Sequence, residues 1–318
     1  MILYILIQAK VYILVLTFIV KTGGIHMNYN QAFQKWLTNE TLEEELKVQL
    51  HHMQNDEKKR EDAFYKNLEF GTGGMRGEIG AGTNRMNTYT VRKASQGIAE
   101  FIMAAGTDAM NRGIVIAYDS RRKSPEFAQE AAATFAKNGI QAYVYESPRT
   151  TPQLSFSVRE LNAFMGVVIT ASHNPPEYNG YKVYGEDGAQ LNLEDAEHVI
   201  SFVNEIDDEL AIEKGDFDSL LKVGTIQYVG AKLDQLYGDA VKSVQHQSDQ
   251  TMKENIRVVF SPLHGASGET VQTIMTEAGY TQFDYVVEQM KPDGEFPTLK
   301  SPNPEEASSF ELAKEKGL

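Results

Sequence analysis

Short apolar runs separated by polar, helix-like segments form the pattern of residues 113–170. Three runs predict strands: Gly113–Tyr118, Ile140–Tyr145 and Phe164–Thr170. The last run is apolar and is expected to be buried on both faces of a sheet. Ser124-Pro125 and Thr151-Pro152 predict the starts of the two intervening helices, with serine and threonine as N-caps, and Asn138-Gly139 predicts the end of the first. This alternation indicates an α/β sheet with helices on its faces.

A similar order of elements returns nearer the carboxyl end of the sequence. After a polar stretch near Lys222–Val229, the pattern predicts a helix, a strand, a loop, a helix and a strand. These segments are Gly230–Gln245, Ile256–Phe260, Ser261–Gly268, a helix ending at Ala278, and Phe283–Glu288. Two α/β units in succession indicate a duplicated architecture.

Other segments have helical periodicity or a composition that excludes a helix. Predicted helices are Thr41–Phe70 (with Leu42, Leu46, Leu50 and Met53 on one stripe), Val91–Met110, a helix begun by Asn192 with Asp195, and Ser308–Lys316. Gly71–Gly82 is too rich in glycine to be a helix interior, and Tyr181–Tyr184 resembles a short strand.

The first 26 residues form an apolar extension with two competing interpretations. Ile2–Val20 is long enough to cross a bilayer as a helix, which needs about 20 residues. It lacks the basic flank and cleavage site of a signal peptide. Alternatively, Gly23-Gly24 could be encoded by a ribosome-binding site, and Met27 would then be the true start. We expect the second interpretation, and so expect no membrane partner unless residues 2–20 are a real anchor.

Composition and charge exclude several classes of protein. The formal net charge is −14, whereas a nucleic-acid-binding chain would be basic, so we expect no nucleic-acid partner. The chain has no cysteine, which excludes disulfides, thiolate metal sites and thiol nucleophiles and suits a cytoplasmic location. Glu186–Asp218 carries −11, whereas Gly71–Lys93 and Arg112–Pro125 each carry +3. The positive stretches could be solvated surfaces or could lie near a small anionic ligand.

The segment Thr170–Lys182 holds the strongest candidate for chemistry. A buried strand delivers Ser172 into a polar loop at its carboxyl end, the edge of an α/β sheet where ligands bind. A hydrolase pair of Ser172 with His173 is disfavoured, since adjacent residues seldom place a base against the neighbouring hydroxyl and no G-x-S-x-G elbow is present. Without further context, a simple turn containing Asn174-Pro175 would be the better interpretation.

The whole run, however, resembles the active-site loop of the α-D-phosphohexomutases, the phosphoglucomutase and phosphomannomutase group. Thr170-Ala-Ser-His-Asn-Pro175 followed by Asn179-Gly180-x-Lys182 is highly specific for this family. Further matching stretches occur in the family's order: Phe70-Gly-Thr-Gly-Gly-Met-Arg76-Gly, Gly80-Ala-Gly-Thr-Asn-Arg85-Met-Asn87, Asp119-Ser-Arg121 with Ser124, Pro262-Leu-His264-Gly265, Pro292-Asp-Gly-Glu-Phe-Pro297 and Ser301-Pro-Asn-Pro-Glu305. The resemblance covers residues from about Thr41 to the end.

The resemblance implies an intramolecular phosphotransferase that interconverts hexose 1-phosphate and hexose 6-phosphate, with glucose favoured by the Gly80–Asn87 stretch. Ser172 would carry the phosphate, and glucose 1,6-bisphosphate would be intermediate and activator. Expected catalytic residues are Ser172, His173, Lys182 and Arg76; expected phosphate-binding residues are Arg121 and Asn174. Arg121 could equally pair with Asp119, and His264 is expected to be a hydrogen-bonded loop histidine.

The resemblance also implies a fold and a division into domains. The fold class is α/β, with two successive three-layer α/β/α domains, each a mixed sheet with helices on both faces, and a truncated third domain. The expected divisions are 1–26 (extension), 27–66 (helical segment), 67–210 (domain I), 225–300 (domain II) and 301–318 (stub of domain III).

The family's Mg²⁺-binding aspartates and sugar-recognition loops are not found in this sequence. One Mg²⁺ per site would therefore be held here only through the phosphate of Ser172, and the chain alone is expected to be an inactive fragment. Phosphomannomutase, phosphopentomutase and a non-catalytic sugar-phosphate-binding remnant stay open as alternatives, as does the oligomeric state.

Overall fold

A computed structural model describes residues 28–246 and 250–317, which divide after Lys66 into two compact units. In the first unit, helices α1 (Tyr29–Leu37), α2 (Glu44–Met53) and α3 (Glu57–Phe64) surround an aromatic core. The Phe64 ring meets Phe33 and Trp36 edge-on, with centroids 5.6 and 5.8 Å apart. Leu42, Leu46 and Leu50 of the predicted stripe are buried.

The predictions made for residues 1–26 lie outside the described residues. Among the helices that are described, none has the length and apolar character that crossing a membrane would require.

The second unit, from Asn67 onward, is built on a six-stranded mixed sheet. Its strands are β1 (Met75–Glu78), β2 (Ile114–Tyr118), β3 (Ala142–Tyr145), β4 (Met165–Ile169), β5 (Tyr178–Tyr184) and β6 (Ile226–Val229). The order across the sheet is β1-β5-β4-β2-β3-β6. The four strands β4, β2, β3 and β6 are parallel, whereas β5 runs antiparallel to both β4 and β1.

Helices cover both faces of this sheet, because its central strands are apolar on both sides. Along β2, Ile114 and Ile116 contact the core under helices α4 (Thr88–Ala105) and α6 (Ser124–Lys137). Val115 faces the opposite core, under α7 (Thr151–Glu160) and α10 (Ala231–Ser243). The α/β fold class with a mixed sheet is therefore confirmed. The remaining helices of this region are α5 (Thr107–Arg112), α8 (Leu193–Glu205) and α9 (Phe217–Val223).

Two of the predicted helix starts are wrong by one residue. Ser124 is not the N-cap of α6; Lys123 takes that position in the left-handed conformation, at φ +62°. The Ser124 hydroxyl instead donates to Asp119 Oδ1 over 2.8 Å. The N-cap of α7 is Thr150 rather than Thr151. The predicted helix over 91–110 is interrupted at Gly106, whose φ of +101° separates α4 from α5.

The prediction of a polar connection near Lys222–Val229 is wrong. The second half of this stretch is strand β6, which pairs in parallel with β3, Ile226 opposite Ala142 and Val229 opposite Tyr145. Ile226 is fully buried. The strand therefore completes the first sheet.

The following region carries a small parallel sheet of β7 (Val258–Phe260) and β8 (Phe283–Tyr285). Its helices after α10 are α11 (Gln250–Asn255), α12 (Gly268–Glu277), α13 (Val287–Met290) and α14 (Glu311–Gly317), the last preceded by a 3₁₀ turn at Ala307–Phe310. Strand β8 is shorter than predicted, because the chain turns into α13 at Val287.

Candidate active site

The site forms at the carboxyl edge of the parallel strands. Strands β2 and β4 are neighbours and end at the same level, with Tyr118 opposite Ile169. Asp119 follows β2 directly, and the loop with Ser172 follows β4. Polar groups from two distant parts of the sequence therefore meet at one edge.

Ser172 is exposed and has a strained backbone. Its φ is +57°, in the left-handed region that a residue with a Cβ rarely adopts. Its amide donates to Thr170 Oγ1 over 2.9 Å, which fixes the turn. The serine Oγ lies 3.4 Å from His173 Nδ1, at the long limit of a hydrogen bond. The hydroxyl is thus accessible and held by a shaped loop.

Arg121 holds this loop from beneath through backbone carbonyls. Its Nη2 donates to the carbonyls of Ser172 (2.8 Å) and Asn174 (2.6 Å). Its Nη1 donates to those of Pro175 (2.9 Å) and Tyr178 (3.0 Å). The side chain is almost fully buried. Its four terminal N–H donors therefore already have backbone partners, whereas the sequence suggested that they would bind phosphate.

Asp119 connects Arg121 to the turn at Thr170. Its carboxylate accepts from the Arg121 amide over 3.0 Å and lies 3.5 Å from Arg121 Nε. Burial raises the pKa of Asp119, against hydrogen bonds from Thr170, the Arg121 amide and Ser124, which lower it. The buried Nε–H of Arg121 makes no hydrogen bond within residues 28–246 and 250–317. The Asp119–Arg121 pair is thus a positioning element under the Ser172 loop.

Arg76 and Lys182 lie on the same face of the sheet. Arg76 of β1 is opposite Gly180 of β5, two residues before Lys182 on the same strand. Position 180 must be glycine, because a Cβ there would lie 2.6 Å from the Thr170 carbonyl oxygen. Arg76 Nη1 also donates to Asn174 Oδ1 over 2.8 Å, so the guanidinium of Arg76 contacts the Ser172 loop.

The Lys182 ammonium is half-buried. Burial lowers its pKa first, the positive charge of Arg76 lowers it further, and Asp119 opposes both. A lysine with a lowered pKa is better suited than an ordinary one to exchange a proton near neutral pH.

A cavity of about 340 Å³ opens beside Ser172. One wall comes from the sheet edge, including Asp119, Arg121 and Ser172; the other includes the 261–267 loop and Phe296. Its volume lies within the range of about 300–1,000 Å³ typical of ligand pockets. Arg76, His173 and Lys182 do not line this cavity. The structure therefore brings Ser172 to its wall and leaves those three residues elsewhere around the loop.

Three of the other basic residues in the two positive stretches form ion pairs with acidic side chains. Arg92 forms a buried pair with Glu130 at 2.5 Å, and Arg112 pairs with Glu186 at 2.6 Å. Arg122 pairs with Glu295. Arg76 and Arg121 hydrogen-bond to the Ser172 loop, and an anionic ligand near the two positive stretches stays a prediction.

His264 fits the expectation of a hydrogen-bonded loop histidine. It is buried, with Nε2 2.9 Å from Thr298 Oγ1 and Nδ1 3.2 Å from the Lys291 carbonyl oxygen.

The described residues do not fit a Mg²⁺ site by themselves. Mg²⁺ is held by several oxygen ligands, usually carboxylates. No group of three or more histidine, aspartate or glutamate side chains in the described part of the chain is arranged to hold a metal.

Sequence reasoning missed two residues of this site. Thr170 caps the Ser172 turn, and Phe296 covers Arg121, with its ring centroid 5.4 Å from the guanidinium carbon. Both lie inside the quoted motifs, so the motifs contained the signal without indicating these roles.

Family comparison agrees with this geometry. The model of phosphoglucomutase/phosphomannomutase α/β/α domain I matches residues 67–210, and that of domain II matches residues 235–317. A phosphoglucomutase of Staphylococcus saprophyticus is 39% identical over 280 residues, covering 88% of this chain and 49% of that protein. One from Staphylococcus aureus strain USA300 is 37% identical, covering 89% and 50%.

Solved structures support the fold. A Thermus thermophilus protein assigned as a phosphomannomutase aligns with a TM-score of 0.64 at 23% identity, over 78% of this chain and 51% of that one. A phosphoglucomutase/phosphomannomutase family protein from Burkholderia thailandensis gives 0.58 at 18% identity, over 76% and 48%.

The chain spans about half the length of the curated relatives that it matches. The two domain models together cover more than half of its residues. With the fold and the Ser172 loop, these matches establish that the chain belongs to the phosphoglucomutase/phosphomannomutase family and contains its domains I and II.

Proposed function

We propose that this chain is the phosphate-carrying half of a phosphohexomutase, which interconverts hexose 1-phosphate and hexose 6-phosphate, with glucose as the favoured sugar. The single observation that carries the proposal is the exposed Ser172 hydroxyl in a left-handed turn beside a ligand-sized cavity. The phosphoglucomutases of Staphylococcus that match the chain support glucose over mannose or pentose.

In the first half-reaction, the free hydroxyl of a hexose monophosphate attacks the phosphorus of phosphoserine 172. The bond from phosphorus to serine Oγ breaks, the hexose becomes a bisphosphate and its hydroxyl proton goes to a base. In the second half-reaction, the serine Oγ attacks the other phosphate of the bisphosphate, and the proton returns to the sugar oxygen. Such transfers depend chiefly on positioning and charge stabilisation.

The surrounding residues take complementary roles in this proposal. Arg76 supplies fixed positive charge, and its hydrogen bond to Asn174 holds the Ser172 loop in position. Lys182, with its lowered pKa, and His173, beside the serine Oγ, are the candidate proton carriers. We assign Arg121 to positioning the loop, because its terminal donors bind carbonyls.

Membership of this family implies a dependence on Mg²⁺ in general. When bound, Mg²⁺ would neutralise part of the phosphate charge. We propose that the phosphate of Ser172 contributes one ligand and that carboxylates outside these residues supply the others. Glucose 1,6-bisphosphate is the proposed activator, and the cytoplasm is the proposed location.

A chimera tests the function. Residues 28–318 would be joined to the carboxyl-terminal half of the Staphylococcus saprophyticus phosphoglucomutase and given glucose 1-phosphate, Mg²⁺ and a trace of the 1,6-bisphosphate. We expect glucose 6-phosphate to form, to be lost in Ser172→Ala, and to persist in Ser267→Ala, whose serine lines the same cavity. Turnover by the Ser172→Ala chimera would contradict the proposal.

A further inference from the structure

Residues 293–296, here called the docking turn, lie against the loop that contains Arg121. Gly294 is so close to this loop that a Cβ would lie 2.7 Å from the Arg122 amide nitrogen and 2.8 Å from the Ser120 carbonyl oxygen. The Glu295 carboxylate pairs with Arg122 through two guanidinium nitrogens. The docking turn therefore contacts the residues on both sides of Arg121.

Phe296 places its ring against the buried guanidinium. The centroid lies 5.4 Å from the Arg121 Cζ, within the range of a cation–π contact. Phe296 is itself buried and holds a left-handed backbone at φ +48°. The N–H groups at the edge of the Arg121 guanidinium donate to the four loop carbonyls, which fix the guanidinium within its own plane. The Phe296 ring packs against its face and therefore restrains the guanidinium from tilting out of that plane.

The docking turn is fixed from the side of the second domain. The Asp293 amide donates to the His264 carbonyl over 3.0 Å. The His264 ring contacts Thr298 and the Lys291 carbonyl, on either side of the turn. His264 also has a left-handed backbone, at φ +62°, a conformation that persists only where the surroundings enforce it. Movement of the second domain would thus be passed to Phe296.

We propose that Phe296 is a positioning residue for Ser172, acting through Arg121. The second domain holds the ring, the ring holds the guanidinium, and the guanidinium holds the carbonyls of the Ser172 loop in their strained turn. The contact makes the geometry of the first-domain nucleophile depend on the docking of the second domain. The proposal rests on the proposed function for the role of Ser172 as nucleophile.

Amide hydrogen exchange of the full chain tests the proposal. The Ser172, Asn174 and Tyr178 amides are each hydrogen-bonded within the loop. We expect Phe296→Leu to accelerate their exchange about tenfold, since the cation–π contact is lost while apolar volume is kept. Phe296→Tyr keeps the aromatic face and should restore protection. Exchange in strand β4 should be unchanged in both variants.

Phe283→Leu is the matched control, because Phe283 packs against Phe260 and Tyr285 in the small second sheet, away from Arg121. Equal acceleration by Phe283→Leu, or none by Phe296→Leu, would overturn the proposal. Should Phe296→Leu not fold, the wild-type chain still decides: the Arg121 Nε–H proton must show a ring-current shift in its NMR spectrum. An unshifted Nε–H signal would overturn the proposal as well.

The outcome is independent of phosphate transfer. If loop protection depends on Phe296 but Ser172 never carries phosphate, the proposed function fails and the positioning role stands. If Ser172 is phosphorylated but loop protection does not depend on Phe296, the positioning role fails and the proposed function stands.

Discussion

Arg76 and Lys182 carry like charges on one face of the sheet, and the pKa of Lys182 is lowered first by burial and then by the charge of Arg76. Gly180, which pairs with Arg76 across the strands and lies two residues before Lys182, places no side chain on this face. The repulsion between these two cations lowers the stability of the protein, and an anion bound near them would reduce it. A pKa that is shifted by burial and by a charged neighbour is typical of functional sites.

The lowered pKa of Lys182 should appear in the pH dependence of stability. Because the folded pKa of Lys182 lies below its ordinary value of 10.5, folded protein binds fewer protons, and stability rises as pH passes from the lowered pKa toward 10.5. Lys182→Met should raise the free energy of unfolding at pH 7 only modestly, since the half-exposed ammonium is screened. The gain should vanish near pH 10.5.

Urea unfolding at both pH values measures this effect. Lys137→Met is the control, because Lys137 pairs with the exposed Glu213 rather than with a cation. A Lys182→Met variant that is less stable than wild type at pH 7 would contradict the view that burial and Arg76 make the Lys182 charge unfavourable.

In the chimera, Ser172 should accept phosphate from glucose 1,6-bisphosphate. Ser172 is the sole serine of the tryptic peptide Glu160–Lys182, so the site can be assigned by mass spectrometry. Ser172→Ala should lose the label, and Ser267→Ala should keep it. Label on another residue, with none in the 160–182 peptide, would show that the nucleophile lies elsewhere.

Arg121→Met should destabilise the protein by about 3 kcal/mol or more, because four carbonyls lose a charged donor and Asp119 loses its partner. Arg159→Met is the matched control: that arginine is exposed and donates a hydrogen bond of 3.3 Å to the Ser155 carbonyl. Chemical denaturation of both variants supplies the comparison. Similar costs for the two would mean that the loop carbonyls find water without penalty.

Gly74→Ala should be severe. Its Cβ would lie 1.8 Å from the Tyr181 carbonyl oxygen, and its φ is +109°. We expect a loss of about 2–4 kcal/mol from backbone displacement and left-handed strain together. Gly106→Ala shares the strain at φ +101° but has no atom within 4 Å, so it should cost only about 1 kcal/mol. Equal thermal stabilities for the two variants would exclude a steric role for Gly74.

Residues 1–318 alone should show no mutase turnover with Mg²⁺, glucose 1-phosphate and a trace of the bisphosphate. The described residues lack a carboxylate cluster for the metal. A coupled assay of glucose 6-phosphate checks this, with the chimera as positive control. Robust turnover would mean that the metal is held in a way that the described residues do not reveal.

Sequence periodicity was sufficient for the elements that carry the site. The run Met165–Ile169 is apolar because helices cover both of its faces. A run of apolar residues of this kind can be predicted as a buried strand from the sequence. The position of Ser172 follows, since a loop after a parallel strand must emerge at the ligand-binding edge.

Tertiary partners decided what periodicity could not reveal. Ser124 has the chemistry of an N-cap, but the Asp119 carboxylate captures its hydroxyl. Arg121 has the chemistry of a phosphate ligand, but loop carbonyls from residues more than 50 positions away take its terminal donors. Phe296 reaches Arg121 from a separate domain. Such pairings depend on where the chain returns, which local patterns do not encode.

The placement of β6 bears on how the first domain can be isolated. A fragment cut at residue 210, where the first family match ends, would leave β3 as an open edge with a row of unpaired N–H and C=O groups. Such an edge is a template for pairing with another chain, and aggregation is the usual result. A first domain expressed by itself should therefore extend through Val229, so that it includes β6, the strand that pairs with the edge of β3.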